Sequence, residues 1–193
     1  MDTKPSIQQV DNFFPEYIAE NIKGFCEDSA LYRYGETDNR EQPPTGLACD
    51  IYHADSNHSQ LAQDARTSEE SKMVYNYFIK YIHEKYPGFW NDYVIYRLYI
   101  NVFSPRENAY FHTDSVGDSD QWTFLYYPIL NFDYDLNQGG WTEFDLDSKI
   151  IGVPPLPNSL CRFSSFVNHR ATPFKDHHRF TIAIKCINKN EFN

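Results

Sequence analysis

The chain has 193 residues and a formal net charge of −10, with 41% hydrophobic and 17% aromatic residues. This composition excludes a disordered chain, and the acidic balance disfavours nucleic acid as a partner, because broad electrostatic capture of a polyanion needs a basic surface. We expect no signal peptide and no membrane span, since no apolar run is long enough to cross a bilayer. The four cysteines lack CxxC spacing and are typical of reduced thiols, so we expect a cytoplasmic protein. Both a monomer and an oligomer are compatible with the sequence.

Residues 1–90 are predicted to form helices and loops that support the core. Pro15 and the apolar spacing around it predict a helix over residues 14–26. Residues 35–66 are rich in Asp, Asn, Gln, Pro and Ser, which predicts a long loop and a candidate lid over a substrate. Thr67 and Glu70 form a capping-box signature before a helix that ends ahead of Gly88. One face of that helix carries apolar residues at helical spacing, namely Met73, Val74, Tyr77, Phe78, Tyr81 and Ile82.

The hydrophobic period changes from helical to two at residue 93. Within residues 93–103, Leu98, Ile100 and Val102 alternate with the opposite face. That opposite face carries Arg97, Tyr99, Asn101 and Phe103. Further strands are predicted at residues 122–130, 141–146, 149–153, 159–166 and 179–187. Short strands separated by Gly, Pro and Asn turns predict an antiparallel sandwich or barrel. We therefore expect a single domain over residues 1–193, mainly β with N-terminal helices. Its double-stranded β-helix (jelly-roll) core would occupy residues 91–188.

Three residues have the chemistry and spacing of a metal site. His112 and Asp114 are two apart, so a strand directs both side chains to one face, and His169 must reach the same ion from elsewhere in the sheet. Two histidines and one carboxylate form the facial triad of non-heme Fe(II) oxygenases, which leaves coordination positions open. Arg179 follows ten residues after His169 and shares a strand face with Thr181 and Ala183. That face would line a cavity with a permanent cation, a hydroxyl and a small side chain.

The order of these motifs over residues 93–187 resembles the 2-oxoglutarate- and Fe(II)-dependent dioxygenases, and among them the prolyl-4-hydroxylase-like branch. The segments that carry the resemblance are His112-Thr-Asp114, residues 123–127 (TFLYY), 139–144 (GGWTEF), 169–173 (HRATP) and 179–181 (RFT). The resemblance implies that His112, Asp114 and His169 bind Fe(II), and that Arg179 holds the distal carboxylate of 2-oxoglutarate with Thr181 and Tyr127. It also implies O2 as co-substrate, succinate as product and ascorbate as a candidate reductant.

Two co-substrate contacts stay open at this point. Tyr126 and Tyr127 are adjacent, so a slip of one residue in the strand would exchange the tyrosine that faces the co-substrate. Asn101 lies in a segment similar to the N-x-Y-x-P stretch of the nucleic-acid demethylase branch, where the asparagine contacts 2-oxoglutarate. Phe103 replaces the tyrosine of that stretch, and a structural role for Asn101 at the strand end is the alternative.

The resemblance implies a peptide, protein or small-molecule substrate. We expect hydroxylation of a peptidyl or amino-acid side chain, with proline as the first candidate, in a cleft between the loops of residues 35–66 and 104–120. Candidate substrate contacts are Arg106, Tyr110 and Trp141. Prolyl hydroxylases prefer aromatic residues where this chain has Ala109 and Lys185. The alternatives are a non-enzymatic jelly-roll binding protein with a degenerate metal site and a nucleic-acid demethylase of the same superfamily.

Overall fold

The computed structural model describes residues 7–35, 42–54, 68–115, 120–129 and 131–192. Its α-helices are α1 (Glu16–Gly24), α2 (Glu69–Lys85) and α3 (Phe89–Asp92). The first four strands in chain order are β1 (Gln8–Val10), β2 (Arg33–Tyr34), β3 (Leu47–His53) and β4 (Tyr93–Phe103). The later strands are β5 (Gln121–Tyr127), β6 (Thr142–Leu146), β7 (Lys149–Val153), β8 (Ser159–Ser164), β9 (Asn168–Ala171) and β10 (Arg179–Asn188).

In the described ranges the strands form two antiparallel sheets. The larger sheet has the order β1-β8-β5-β10-β4-β3-β2, and the smaller one has the order β7-β6-β9. Strand β10 lies in the middle of the larger sheet, where Lys185 pairs with Arg97 of β4 on one side and with Thr123 of β5 on the other. The mainly β fold with antiparallel strands predicted from the period of two is therefore confirmed.

The helices cover one face of the larger sheet. In α2, Val74, Phe78 and Ile82 are fully buried at intervals of four residues, as the helical spacing predicts, and they join the core formed by Leu98 and Ile100 of β4. The opposite face of the larger sheet forms a second apolar cluster that includes Tyr99, Leu125 and Tyr127 from the larger sheet and Phe144 from the smaller one. The space between the two sheets is thus lined by the strand faces that carry the predicted site residues.

The N-terminal ninety residues differ from the prediction of helices and loops alone. Strand β3 occupies Leu47–His53, inside the predicted loop of residues 35–66, and pairs with β4 from Leu47↔Val102 to His53↔Arg97. Strands β1 and β2 also join the larger sheet. The loop prediction was wrong for residues 47–53 because polar residues such as Asp50, which forms ion pairs with Arg33 and Arg97, obscure the strand pattern. Residues 36–41 and 55–66 lie outside the described ranges, and so does the predicted role of this segment as a lid.

Helix boundaries also moved by a few residues. Helix α1 starts at Glu16, two residues after the predicted position 14. It ends at Gly24 and continues into a π-helical turn over Phe25–Ser29. The cap of α2 is Ser68, whose side chain accepts a hydrogen bond from the Ser71 backbone N–H. The N-cap therefore lies one residue after the predicted Thr67, and its N3 residue is Ser71 and not the Glu70 of the predicted capping box; Thr67 lies outside the described residues.

The predicted strands from residue 93 onward correspond to observed strands. The bounds of β4 and β7 agree with the prediction, and those of β6, β8 and β10 differ by one or two residues at one end. Strand β5 ends at Tyr127, three residues before the predicted end at position 130, which is itself outside the described ranges. None of the described helices is long and apolar enough to cross a membrane.

Candidate functional site

The three predicted metal ligands meet at one end of the space between the sheets. His112 forms an isolated bridge with His169 of β9, through backbone hydrogen bonds of 3.0 and 2.9 Å in the two directions. The backbone N–H of Asp114 donates to the Ser165 carbonyl at 2.9 Å, which fixes the segment after the bridge. The ligand atoms of His112, Asp114 and His169 all lie within 4.8 Å of one another.

Each imidazole is oriented by a hydrogen bond to the backbone carbonyl two residues before it in the chain. The Nδ1 atom of His112 lies 2.9 Å from the Tyr110 carbonyl, and that of His169 lies 2.8 Å from the Val167 carbonyl. A carbonyl only accepts, so each Nδ1 carries the proton and each Nε2 keeps its lone pair. These Nε2 atoms lie 3.5 and 3.4 Å from the two carboxylate oxygens of Asp114. The ring orientation is therefore the one that a metal-binding histidine needs.

Electrostatics keep the ligands in their metal-binding protonation states. Burial lowers the pKa of His169 to about 4, despite the opposing effect of Asp114, so the imidazole is neutral at neutral pH. Burial alone would raise the pKa of Asp114. Lys185 and the two histidines outweigh it and hold that pKa well below the usual range, so the carboxyl group is ionised.

The donor set fits a small divalent transition metal. Two ligand atoms in cis positions around a metal, with bonds of about 2.1 Å, lie roughly 3.0 Å apart. The His–Asp separations of 3.4 and 3.5 Å are close to this value, so a small inward movement would complete the geometry. Two imidazole nitrogens and one carboxylate are the ligand set of non-heme iron, and in the described residues no other cluster of His, Cys, Asp and Glu has this geometry.

Two side chains beside the triad were not predicted as site residues. The Lys185 ammonium contacts Oδ2 of Asp114, and the Thr123 hydroxyl donates to the same oxygen at 2.7 Å. Thr123 also shares a hydrogen bond of 3.0 Å with the Ser165 hydroxyl. The alternation in β5 and β10 places Thr123 and Lys185 on the inner face, but only the register between those strands brings them to the same carboxylate.

Arg179 belongs to a second cluster of polar side chains, on the inner face of the larger sheet. Its side chain is 2% exposed and donates to the Gly140 carbonyl at 2.8 Å, to Thr142 Oγ1 at 2.9 Å and to Thr181 Oγ1 at 3.1 Å. The Tyr127 hydroxyl lies 2.7 Å from Thr142 Oγ1. The structure thus brings Arg179, Thr181 and Tyr127 together as the sequence predicts, and it adds Thr142, which the sequence analysis missed. A buried guanidinium whose partners are neutral oxygens favours an anion as its further partner.

The comparisons with known proteins agree with this arrangement at the level of fold. No family model and no curated protein matches the sequence. Among solved structures, an oxidoreductase of the 2OG-Fe(II) oxygenase family from Burkholderia pseudomallei is similar with a TM-score of 0.72 and 13% identity, over 96% of this chain and 86% of that one. The chain has the 2OG-Fe(II) oxygenase fold.

Two prolyl hydroxylases share the 2OG-Fe(II) oxygenase fold with this chain. The first is a prolyl-4-hydroxylase from Pseudomonas putida, with a TM-score of 0.58, 16% identity and coverage of 95% of this chain and 92% of that one. The second is a prolyl hydroxylase from Trichoplax adhaerens, in complex with a peptide fragment of the hypoxia inducible factor oxygen degradation domain. It has a TM-score of 0.57 and 13% identity, over 97% of this chain and 84% of that one.

Within this 2OG-Fe(II) oxygenase fold, the two adjacent tyrosines face opposite sides of the larger sheet. Tyr127 points toward Arg179, whose guanidinium carbon lies 5.7 Å from the Tyr127 ring centre. Tyr126 belongs to the helix-side core, and its hydroxyl donates to Asn158 Oδ1 at 3.1 Å. Tyr127 is therefore the tyrosine that faces the arginine pocket. Asn101 pairs with Thr181 across β4 and β10, which places it on the side of the sheet that carries the pocket.

The candidate substrate contacts occupy different surroundings. Tyr110 is 39% exposed and follows directly after Ala109, which is buried. Arg106 has a positive φ of 70° in the turn after β4. The ring of Trp141 packs over Gly152, because a Cβ atom built on that glycine would lie 2.6 Å from the ring. This contact gives Trp141 a packing role, whereas Tyr110 keeps an exposed surface beside the metal ligands.

Proposed function

We propose that this chain is an Fe(II)- and 2-oxoglutarate-dependent dioxygenase that hydroxylates a peptidyl or amino-acid side chain. The observation that carries the proposal is the presence of two complementary sites in the space between the two sheets. His112, Asp114 and His169 form a facial set of ligands at one of them, and Arg179 forms a buried cationic pocket at the other. A dicarboxylic co-substrate can chelate a metal at one end and bind a guanidinium at its other end.

The residues of the triad would hold the metal through two imidazole Nε2 atoms and one carboxylate oxygen. Bound iron supplies the activation of O2 and the oxidation that a side chain alone does not perform. The neutral His169 and ionised Asp114 need no loss of a proton before they bind the metal at neutral pH. The Nδ1 hydrogen bonds of the two histidines hold the rings in place, which reduces the cost of ordering the site.

Arg179, Tyr127, Thr142 and Thr181 would bind the distal carboxylate of 2-oxoglutarate. Ala183 lies on β10 between Thr181 and Lys185 and is buried, and its small side chain leaves room for the carbon chain of the co-substrate. The site face of β4 contributes Asn101 as a further candidate contact. Oxidative decarboxylation of 2-oxoglutarate by O2 would yield succinate and CO2, with the second oxygen atom of O2 available for the substrate and ascorbate as a candidate reductant that keeps the iron active.

The two sheets support a finer description of the fold. We infer that they form a double-stranded β-helix, and that residues 1–193 form one domain whose N-terminal segment supports the core over residues 91–188. The antiparallel order of both sheets and the position of the polar residues between them favour this description. All four cysteines are free and buried, which favours a cytoplasmic location.

For the substrate, a peptide is the first candidate and proline the first side chain. The complex of the Trichoplax adhaerens enzyme with a peptide is the comparison that favours this class. The net charge of −10 opposes a polyanionic substrate such as nucleic acid by long-range repulsion. We place the proposed cleft between the segments of residues 35–66 and 104–120, and the exposed Tyr110 is the candidate contact in their described parts.

A second candidate function is favoured by one contact. The ammonium of Lys185 neutralises the buried Asp114 carboxylate without a metal. A non-enzymatic binding protein with a degenerate metal site would need such a counter-ion, so this contact favours it as the second candidate. Release of succinate separates the two functions. The protein is incubated with Fe(II), 2-oxoglutarate and ascorbate, together with peptides, free amino acids or nucleosides, and His169→Gln serves as the control.

Succinate formation that depends on His169 supports the dioxygenase. Its absence from the wild-type protein with every substrate class, together with an absence of metal binding, would support the binding protein. Succinate release with a nucleoside or a free metabolite, but not with proline-containing peptides, would replace the substrate and leave the chemistry intact.

A further inference from the structure

Lys185 lies at the centre of the larger sheet, where a lysine is rarely buried. It is 5% exposed, and its strand neighbours in register are Arg97 and Thr123. Its Nζ atom contacts Oδ2 of Asp114, the same oxygen that accepts the 2.7 Å hydrogen bond from the Thr123 hydroxyl. The two donors come from adjacent strands, so the sheet itself fixes their position relative to the carboxylate.

These contacts make the two oxygens of Asp114 unequal. A carboxylate oxygen has two lone pairs, and the ammonium of Lys185 and the hydroxyl of Thr123 occupy those of Oδ2. The other oxygen, Oδ1, lies 3.5 Å from Nε2 of His112, much as Oδ2 lies 3.4 Å from Nε2 of His169, but only Oδ2 also accepts from Lys185 and Thr123. We propose that Lys185 and Thr123 are positioning residues that make Asp114 a ligand through Oδ1 alone.

The proposal rests on the proposed function and specifies how its metal site stays open. A carboxylate that binds through one oxygen completes a facial set with the two imidazoles, which leaves three positions of an octahedral metal open. Two of them suit a chelating 2-oxo acid, and one suits O2. A carboxylate that binds through both oxygens would occupy a fourth position and compete with the co-substrate. Lys185 would thus act through Asp114, without contact to the reacting atoms.

The same ion pair has a rival interpretation with the opposite consequence. If the ammonium of Lys185 replaces a metal as the counter-ion of Asp114, its removal should allow a divalent cation to bind more tightly. If Lys185 positions the carboxylate, its removal should weaken metal binding, as the loss of a partner of a metal ligand generally does. The sign of the change in metal affinity therefore separates the two.

The test uses Co²⁺ as the probe, with metal affinity and the visible absorption of the bound ion as readouts that do not depend on turnover. Lys185→Met should lower the affinity for Co²⁺ roughly 10- to 100-fold, and Thr123→Val should lower it in the same direction by less. Lys185→Met should also change the Co²⁺ spectrum toward a higher coordination number and weaken 2-oxoglutarate binding to the Co²⁺ form. Lys185→Arg, which keeps a charged donor, should restore part of the affinity.

Arg97→Met is the matched control, because Arg97 is a cation beside Lys185 on the same sheet face but is paired with Asp50 at 3.0 Å. It should leave Co²⁺ affinity close to that of the wild type. Equal or tighter Co²⁺ binding by Lys185→Met would overturn the proposal, and so would an equal loss in Arg97→Met, since that would indicate charge alone. If Lys185→Met does not fold, Thr123→Val decides, and an unchanged affinity in that variant would overturn it.

Failure of this inference is distinguishable from failure of the proposed function. A wild-type protein that binds neither Co²⁺ nor 2-oxoglutarate would contradict the proposed function itself. A wild-type protein that binds both, with the same affinities and the same Co²⁺ spectrum as Lys185→Met and Thr123→Val, would contradict only the positioning role.

Discussion

Replacement of Arg179 by glutamine tests the arginine pocket. The guanidinium is buried, and its described hydrogen-bond partners are one carbonyl and two threonine hydroxyls, so its charge has no carboxylate partner among them. A bound dicarboxylate would supply that charge. Loss of one member of a buried charge-assisted pair costs about 2 to 5 kcal/mol. At about 1.4 kcal/mol for each factor of ten, Arg179→Gln should weaken 2-oxoglutarate binding from about 30-fold to several thousand-fold.

Isothermal titration of 2-oxoglutarate into the Co²⁺ form of the protein measures this change without turnover. The affinity for Co²⁺ itself should stay close to that of the wild type, because no ligand of the triad contacts Arg179 in the described structure. The matched control is Arg162→Gln. Arg162 is a half-buried arginine of the larger sheet, but it lies on the helix side, with its guanidinium 3.9 Å from the ring centre of Trp122.

The two arginine variants should therefore differ in co-substrate affinity even if both lower the stability of the fold. An Arg179→Gln protein that binds 2-oxoglutarate like the wild type would remove Arg179 from the site and refute the reasoning from its burial. A comparable loss of affinity in Arg162→Gln would attribute the effect to general destabilisation.

Three further predictions concern stability, and chemical denaturation measures each of them. The pKa of His169 falls from 6.5 to about 4 on folding, so the unfolded chain binds its proton first as the pH decreases. The free energy of unfolding of the metal-free protein should therefore decrease by up to about 3 kcal/mol as the pH falls from about 6.5 to 4. Protonation of Asp114 in the unfolded chain should decrease it further below the ordinary pKa of a carboxyl group. A free energy of unfolding that does not change between about pH 6.5 and 4 would contradict the assignment of His169. Gly140→Ala should destabilise the fold by at least about 1 to 3 kcal/mol, since φ is 75° at Gly140 and the new Cβ would lie 2.3 Å from the Phe174 ring. Its control is Gly24→Ala in α1, where the new Cβ meets nothing within 4 Å, so this change should be neutral or stabilising. Ser68→Ala should cost about 1 kcal/mol through loss of the α2 cap, and an unchanged midpoint would exclude Ser68 as the cap.

The sequence predicts the features of this protein that repeat at short range. The period of two in residues 93–103 corresponds to β4, and the spacing of His112 and Asp114 brings both side chains to one point with His169. In β4 local spacing is sufficient because a strand directs alternate residues to one face. The strand predicted for His112 and Asp114 is reduced to an isolated bridge at His112, and the backbone hydrogen bonds to His169 and Ser165 hold this segment at the site.

The features that the sequence analysis missed depend on register between distant segments. Thr142 meets Arg179 across 37 residues, and Thr123 meets Asp114 from a position nine residues away in the chain. Lys185 was interpreted only as a departure from an aromatic preference, because nothing in β10 alone shows that a carboxylate lies opposite to it. Strand β3 was missed for a related reason, since its identity as a strand comes from its pairing with β4.

The four cysteines give this protein an internal reporter of its unfolding. All four are free and buried, and burial raises the pKa of the Cys161 thiol to about 12 and raises the pKa of Cys26 and Cys186 as well. Only the thiolate reacts with a disulfide reagent, so the folded chain should be almost inert to one and the unfolded chain should react fully. The rate at which thiols become accessible to such a reagent would therefore follow the opening of both faces of the larger sheet. Cys161 reports from the side of the candidate site and Cys26 from the side of the helices.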